Sequence, residues 1–245
     1  MFDYGIEFDY WQRSLIRLLY PANCVLCKTP LLVAEMHVCR LCSKKIQPLA
    51  QPLCLKCARP IPPFDGHASC ASCRSERPYY DRGFALVEYD EPAKSIFHQI
   101  KFERKPWLFE IYTHLLTQSF SSFFNDYELI IPVPLDRARE RKRGFNQALM
   151  IAKMIKRIHS SELAIEKIVK KTKHTAPQSQ LKREHRLNNL TGAFKLAQPK
   201  AVAGKNILLI DDIFTTGSTI NECARILKEN GAGRVDFFTL ARSNS

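Results

Sequence analysis

The stretch from Ile207 to Thr219 reads I-L-L-I-D-D-I-F-T-T-G-S-T, and the reading of the fold turns on it. Ile207 to Ile210 is an uninterrupted branched apolar run, the signature of a strand buried on both faces. Asp211 and Asp212 follow at the expected strand end. Thr215, Thr216, Gly217, Ser218 and Thr219 then lead into a helical pattern. A sugar with a 5′-phosphate and vicinal hydroxyls needs these groups in this order. The two carboxylates accept hydrogen bonds from ribose hydroxyls. A glycine-permitted loop turns backbone N–H groups toward a phosphate, Thr and Ser hydroxyls add donors, and the helix N-terminus adds a favourable dipole. A strand, an acidic turn and an N-cap would account for Ile207 to Asp212 alone. The hydroxyl cluster around Gly217 carries the reading further.

Outward from this stretch, Tyr127 to Pro134 (Y-E-L-I-I-P-V-P) predicts a second buried strand. It runs into D-R-A-R-E-R-K-R-G-F-N-Q, Asp136 to Gln147, read as a basic loop. Loops at the carboxyl edge of parallel strands are where open α/β sheets bind ligands. Arg137, Arg139 and Arg143 suit bidentate grip on phosphate oxygens, and Gly144 lets the chain turn into the next helix. That helix carries Phe145, Leu149, Ala152, Ile155 and Ile158 at three- and four-residue steps. Gly83 to Tyr89, Leu163 to Val169 and Val235 to Leu240 read as further strands, the last closing the sheet. A helix from about Thr219 to Glu229 turns Ile220, Cys223, Ala224 and Leu227 inward, with Gly231 as its C-cap. Helices are also expected from Pro92, with Ile96, Phe97 and Ile100 inward, and from Trp107 to Phe120. A short basic turn, Lys101 to Lys105, separates them. Lys170 to Asn189 is polar, basic and aperiodic, which suits a lid or a partly helical arm.

Eight of the nine cysteines form four C-x-x-C pairs: Cys24 and Cys27, Cys39 and Cys42, Cys54 and Cys57, Cys70 and Cys73. Two such turns complete a tetrahedral thiolate site for Zn²⁺, so four pairs predict two structural zinc ions. Spacing allows three ways of pairing the pairs. The consecutive one is preferred, with the first four cysteines on one zinc and the last four on the other. Glycine often follows the second Cys of a zinc knuckle, but Lys28, Ser43, Ala58 and Arg74 stand there. His37 and His67 lie within the loops and are expected to be bystanders. The segment is rich in proline and is expected to have little apolar core, so metal would hold it.

The chain has 245 residues and a net charge of +13. Between Asp136 and Leu190 there are 15 Lys and Arg against 5 Asp and Glu. Such a concentration predicts a polyanionic partner, either nucleic acid or a multiply phosphorylated substrate. Aromatic platforms for single strands are scarce in that span, which points to Phe102, Trp107 or the cysteine segment for stacking. Met1 to Tyr20 is interrupted by Asp3, Glu7, Asp9, Arg13 and Arg17. It reads as an amphipathic helix rather than a signal sequence or membrane span, and a cytoplasmic location follows.

The Ile207 to Thr219 stretch resembles the phosphoribosyl pyrophosphate (PRPP) loop of type I phosphoribosyltransferases. The wider set resembles the ComF family of competence-associated phosphoribosyltransferase-like proteins. It comprises the four C-x-x-C pairs, I-K-F at Ile100 to Phe102, P-V-P-L-D-R-A-R-E-R-K-R-G-F-N-Q-A, A-P-Q-S-Q-L-K-R-E-H-R, L-N-N-L-T-G-A-F and the closing L-A-R. The resemblance implies an α/β fold, a type I phosphoribosyltransferase-like parallel sheet flanked by helices over 79–245. A double zinc ribbon at 21–78 and the N-terminal helix at 1–20 precede it. It implies that Asp211 and Asp212 meet the ribose hydroxyls and that Thr215, Thr216, Gly217, Ser218 and Thr219 hold the 5′-phosphate. Arg137, Arg139, Arg143 and Lys101 would meet the remaining phosphates, with Mg²⁺ arriving on PRPP. Lys142, Arg143, Lys182, Arg183 and Arg186 would meet single-stranded DNA. The implied setting is DNA uptake in natural transformation, beside a helicase and recombination proteins. The alternative is an active phosphoribosyltransferase using PRPP and Mg²⁺ on an acceptor that no segment of the sequence identifies.

Overall fold

The computed structural model describes residues 22–63, 66–120, 123–159, 163–172 and 192–243. The expected N-terminal helix and most of the Lys170 to Asn189 arm, with Lys182, Arg183 and Arg186, lie outside the described residues. Five parallel strands make the main sheet: β1 (Gly83–Glu88), β2 (Leu129–Pro132), β3 (Ala164–Ile165), β6 (Asn206–Phe214) and β7 (Arg234–Arg242). Their spatial order is β1-β7-β6-β2-β3. A separate antiparallel pair joins β4 (Val169–Lys171) to β5 (Phe194–Leu196). The last strand in sequence therefore sits inside the sheet, between the first and the sixth. Its run V-D-F-F-T-L-A-R is buried from Val235 to Arg242. Ile207, Leu208, Leu209 and Ile210 of β6 have no exposed surface.

Two expected elements are redrawn. Leu163 to Val169 is not one strand. Glu166 donates its backbone N–H to Ile130 at 2.9 Å at the edge of β2, and Ile168 accepts from Ala197 at 2.8 Å on the other sheet. An apolar run does not say which backbone ladder it joins. The Trp107 to Phe120 helix is a 3₁₀ helix over Pro106–Tyr112 followed by α4 (Thr113–Ser119). Its first half is rich in aromatic and β-branched residues, which are poor α-helix formers.

Helices flank the sheet. The helix α3 (Glu91–Phe102) starts at Asp90, whose carboxylate accepts from Ala93 N at 3.1 Å, and buries Ile96, Phe97 and Ile100 completely. The helix α6 (Gln147–His159) packs on β2 and β6, and α7 (Ser218–Glu229) on β5, β6 and β7. Inward-facing Ile220, Cys223, Ala224 and Leu227 are buried as their spacing required, and Gly231 at φ 84° follows the Asn230 cap. No helix among the described residues is long and apolar enough to cross a membrane.

The cysteine segment folds as two similar ribbons. Each has an antiparallel bridge, Asn23 with Pro30 and Leu53 with Pro60. In each, the first C-x-x-C turn closes on itself, Lys28 N to Cys24 O at 2.9 Å and Ala58 N to Cys54 O at 2.8 Å. Lys28 (φ 65°) and Ala58 (φ 55°) take the left-handed conformation where glycine is usual. The second turns start short helices instead, α1 (Arg40–Ser43) and α2 (Ala71–Glu76), so Ser43 and Arg74 need no glycine conformation.

The ribbons pack onto the sheet. Pro48 bridges to Val87 on the β1 edge, and Leu49 N donates to Leu86 O at 3.0 Å. Gly83 N donates to Leu55 O at 3.0 Å, and a Cβ on Gly83 would lie 2.3 Å from both Lys56 O and the Phe237 ring. Neither obstacle is a flexible side-chain end. Gly83→Ala is expected to lower unfolding stability by about 3 kcal/mol, read from denaturant midpoints at unchanged slope.

Candidate functional site

The strand β6 does not end at Ile210. Its ladder with β2 stops there, opposite Pro132, but its ladder with β7 continues to Phe214 opposite Arg242. Asp211 and Asp212 thus lie on a strand held from one side only, where β2 has turned away. That is the crevice between diverging strands in which α/β sheets place ligands. Asp211, Ile213, Phe214, Thr215, Gly217, Ser218, Thr219 and Ile220 line one shallow cleft there. Gly217, at φ 76°, is the N-cap residue of α7 and offers no side chain to its first turn. The Thr216 and Ser218 hydroxyls are 2.8 Å apart on the loop.

The basic segment after β2 is a helix, α5 (Arg137–Arg143), rather than the expected loop. Asp136 caps it, accepting from Ala138 N at 2.9 Å and Arg139 N at 3.4 Å, and Gly144 at φ 89° ends it. A charge-rich string has no apolar period to reveal a helix, but its cap and its glycine did carry the signal. Helical spacing sorts the arginines. Arg139 and Arg143, one turn apart, are half-buried on the inner face, whereas Arg137 and Lys142 are exposed.

Lys101 and Phe102 form the last turn of α3 rather than part of a loop; the turn proper is Glu103 to Lys105. From there Lys101 Nζ reaches Asp212 Oδ2 at 2.6 Å, with both side chains largely buried. Asp212 also acts electrostatically on Arg143, whose guanidinium is drawn below its ordinary range first by burial and then by Arg139. Lys101, Arg139, Arg143 and the carboxylate pair therefore form one charged cluster at the sheet edge. Lys171 of β4 adds a cation that the sequence reading missed. Burial and then the Arg139 charge pull its ammonium below the usual lysine range, against Asp136. Within K-K-T-K nothing distinguishes it. Only the β4–β5 pairing turns it toward Arg139.

The cysteines group as the consecutive pairing requires. The ligand sulfurs of Cys24, Cys27, Cys39 and Cys42 lie within 4.8 Å of one another, as do those of Cys54, Cys57, Cys70 and Cys73. Cys39 N donates to Cys24 Sγ at 3.4 Å and Cys70 N to Cys54 Sγ at 3.2 Å, the same N–H···S bond in both ribbons. Four thiol donors at this separation fit a tetrahedral zinc. His37 and His67 join neither cluster. His37 faces Glu110 at 4.0 Å instead.

The carboxylate pair is the strained part of the site. Burial first, and then the Asp212 charge, push the Asp211 carboxyl up to about 7; the Asp212 N–H, 2.9 Å from its Oδ1, and Lys101 oppose this. A carboxyl whose folded pKa is raised contributes stability below its unfolded pKa, about 4, that is lost as pH rises through 7. Without ligand, the Asp211→Asn variant is expected to melt higher than the native chain above about pH 7.5 and to converge with it toward about pH 4. Thermal melts across that range check this.

Residues 15–75 match the family profile of the double zinc ribbon domain, and residues 142–245 that of the phosphoribosyl transferase domain. DNA utilization protein YhgH of Shigella flexneri is 31% identical over 231 residues, 92% of this chain and 99% of that protein. Competence protein F of Haemophilus influenzae is 30% identical over 227 residues, 90% and 97% of the two chains. Competence protein ComFC of Bacillus subtilis is 30% identical over 221 residues, 87% of each. Identity at this level runs through nearly all of both chains, and the two domain types occur in the order that the cysteine clusters and the sheet display. The chain therefore belongs to the ComF family, the double zinc ribbon and phosphoribosyltransferase-domain proteins that include YhgH, competence protein F and ComFC.

Proposed function

We propose that this protein acts in DNA uptake and utilization, binding single-stranded DNA on its basic surface and keeping a PRPP-type ribose-phosphate site. The observation that carries the reading is the gathering of Lys101, Arg139 and Arg143 at Asp212, beside the hydroxyl-rich Thr215 to Thr219 loop. Cations and carboxylates meeting beside a helix N-terminus suit a ligand with both hydroxyls and phosphates. Asp211 and Asp212 would take the ribose hydroxyls, the loop the 5′-phosphate, and Arg139, Arg143 and Lys101 the pyrophosphate. Mg²⁺ would come bound to PRPP rather than in a cage of its own.

The basic surface continues outward with aromatic rings beside it. Phe102 is 70% exposed and lies 4.9 Å, centroid to centroid, from the His98 ring. Arg104 Nη2 donates to the Lys142 carbonyl at 2.7 Å, which fixes this corner against the end of α5. Trp107, 52% exposed, lines a 270 Å³ groove with Met150, Met154, Lys153 and Arg157. Exposed rings interleaved with lysine and arginine support sequence-tolerant binding of single strands. Lys182, Arg183 and Arg186 belong to this reading by sequence alone, and the relatives' names, DNA utilization protein and competence protein, support it. A helicase and recombination proteins are the partners such a role would need, and its place would be the cytoplasm. The units that divide the work would be the ribbons, 21–78, and the sheet domain, 79–245.

The second reading is an active phosphoribosyltransferase with an unidentified acceptor. It is favoured by a complete carboxylate pair and loop, because such chemistry asks the protein mainly for positioning and charge stabilisation. PRPP turnover with pyrophosphate release in the presence of a nucleobase panel would establish it. Native protein that binds no PRPP in the presence of Mg²⁺ would reject it.

Fluorescence anisotropy with a labelled oligothymidine is expected to show affinity falling with salt. Phe102→Ala with Trp107→Ala should weaken binding about tenfold at an unchanged salt slope, whereas Lys142→Ala should lower the slope by about 0.7. In calorimetry with PRPP and Mg²⁺, Asp211→Asn with Asp212→Asn should abolish the binding heat while DNA binding persists. A flat salt response, or native protein that shifts no DNA, overturns the DNA reading.

A further inference from the structure

Beneath the phosphate loop lies a buried cation that the proposed site does not use. Arg242, the last residue of β7, is 1% exposed. Its Nε donates to the Cys57 carbonyl at 2.8 Å, its Nη2 lies 3.8 Å from Cys57 Sγ, and its Nη1 donates to the Ser243 carbonyl at 2.6 Å. The guanidinium sits 5.6 Å over the Phe214 ring. A cation this deep responds strongly to any change of charge close to it. A zinc ion in four thiolates is a centre of net negative charge, and Cys57 belongs to the second cluster. Arg242 is therefore placed to read whether that centre is filled.

The other face of the same contact is the loop. Phe214 pairs with Arg242 across β6 and β7, and its carbonyl accepts from Ser243 N at 2.8 Å. The Phe214 ring stacks on Phe237 at 4.9 Å and supports Gly217 so closely that a Cβ there would lie 2.6 Å from Phe214 Cζ. Tyr80 packs edge-on to both rings, its hydroxyl 3.5 Å from that Cβ position, and its carbonyl accepts from Lys56 Nζ of the second ribbon at 3.2 Å. The first cluster is placed differently: its contact reaches α3, two residues before Lys101, and not the Phe214 support of the loop. Its ribbon meets the sheet domain through Val25 O and Gln99 Nε2, at 3.1 Å, and through His37 facing Glu110.

We propose that the Cys54, Cys57, Cys70 and Cys73 zinc site and the Thr215 to Thr219 loop are one coupled unit, joined through Arg242 and Phe214. Filling the zinc site then sets the loop's affinity for a ribose phosphate, and the ligand in turn holds the zinc. The inference rests on the loop taking a ribose 5-phosphate. Arg242 acts as a positioning residue behind the loop, and Phe214, which lines the cleft, carries its position to Gly217. Coupling of this kind is reciprocal: the factor by which zinc strengthens ligand binding equals the factor by which ligand strengthens zinc binding.

The test uses the full-length, zinc-loaded chain and follows zinc release into a colorimetric chelator, with and without saturating PRPP and Mg²⁺. Cys39→Ser, which breaks the first cluster alone, assigns the two release phases. PRPP is expected to slow release from the second cluster about tenfold and to leave the first unchanged, so that the first serves as an internal reference. Arg242→Lys keeps the charge but cannot both span to Cys57 and lie over the ring. It should remove the protection and weaken PRPP binding about tenfold. Phe214→Leu, which breaks the link from the other side, should do the same. Bound PRPP that slows neither phase, or both equally, overturns the coupling and leaves the sugar-phosphate reading standing. Native protein that does not bind PRPP overturns both.

Discussion

The parallel pairing of β6 with β7 is the constraint on which the rest depends. It runs in unbroken register from Asn206 opposite Arg234 to Phe214 opposite Arg242. Because β2 leaves at Ile210 and β7 does not, β6 reaches into the crevice supported from one side. That projection carries Asp211 and Asp212 past the end of β2 and delivers the chain into the Gly217 turn. The same register sets Arg242 opposite Phe214. One ladder thus aligns the carboxylates, the loop and the contact with the second zinc ribbon.

The polar groups that β7 buries are held in kind. Asp236, at 1% exposure, accepts from Tyr127 Oη at 2.7 Å and Arg82 N at 3.0 Å, with Arg234 3.3 Å away. A fully enclosed strand tolerates such residues only when each finds partners. At the opposite end, the carboxylates of β6 are held against the cations of α3 and α5. Lys101 on Asp212 compensates charge within the cluster. A site with its charges already gathered pays less reorganisation when a charged ligand arrives.

Much of this was legible from residue order. The branched run before Asp211, the hydroxyl cluster around Gly217 and the inward spacing of Ile220, Cys223, Ala224 and Leu227 each state a local rule that the structure obeys. The grouping of the cysteines agreed with their consecutive order. Less legible were elements with no apolar period. The helix α5 was hidden by its charges, and Leu163 to Val169 concealed a change of sheet. Lys28 and Ala58 supply left-handed turns without glycine, because hydrogen bonds to Cys24 and Cys54 over-determine the backbone there.

By itself the sequence determined the chemistry: two carboxylates before a hydroxyl-rich turn, a basic string before a helix, and thiols in four pairs. Side-chain type and short spacing are local properties, and they pass directly into local geometry. The tertiary structure alone decided what meets what. It inserted the final strand between the first and the sixth, set Lys101 of α3 on Asp212, turned Lys171 toward Arg139 and buried Arg242 between a zinc ribbon and the Thr215 to Thr219 loop. These partners are separated by tens to nearly two hundred positions in the chain. Strand order and register bring them together, and no local pattern encodes either.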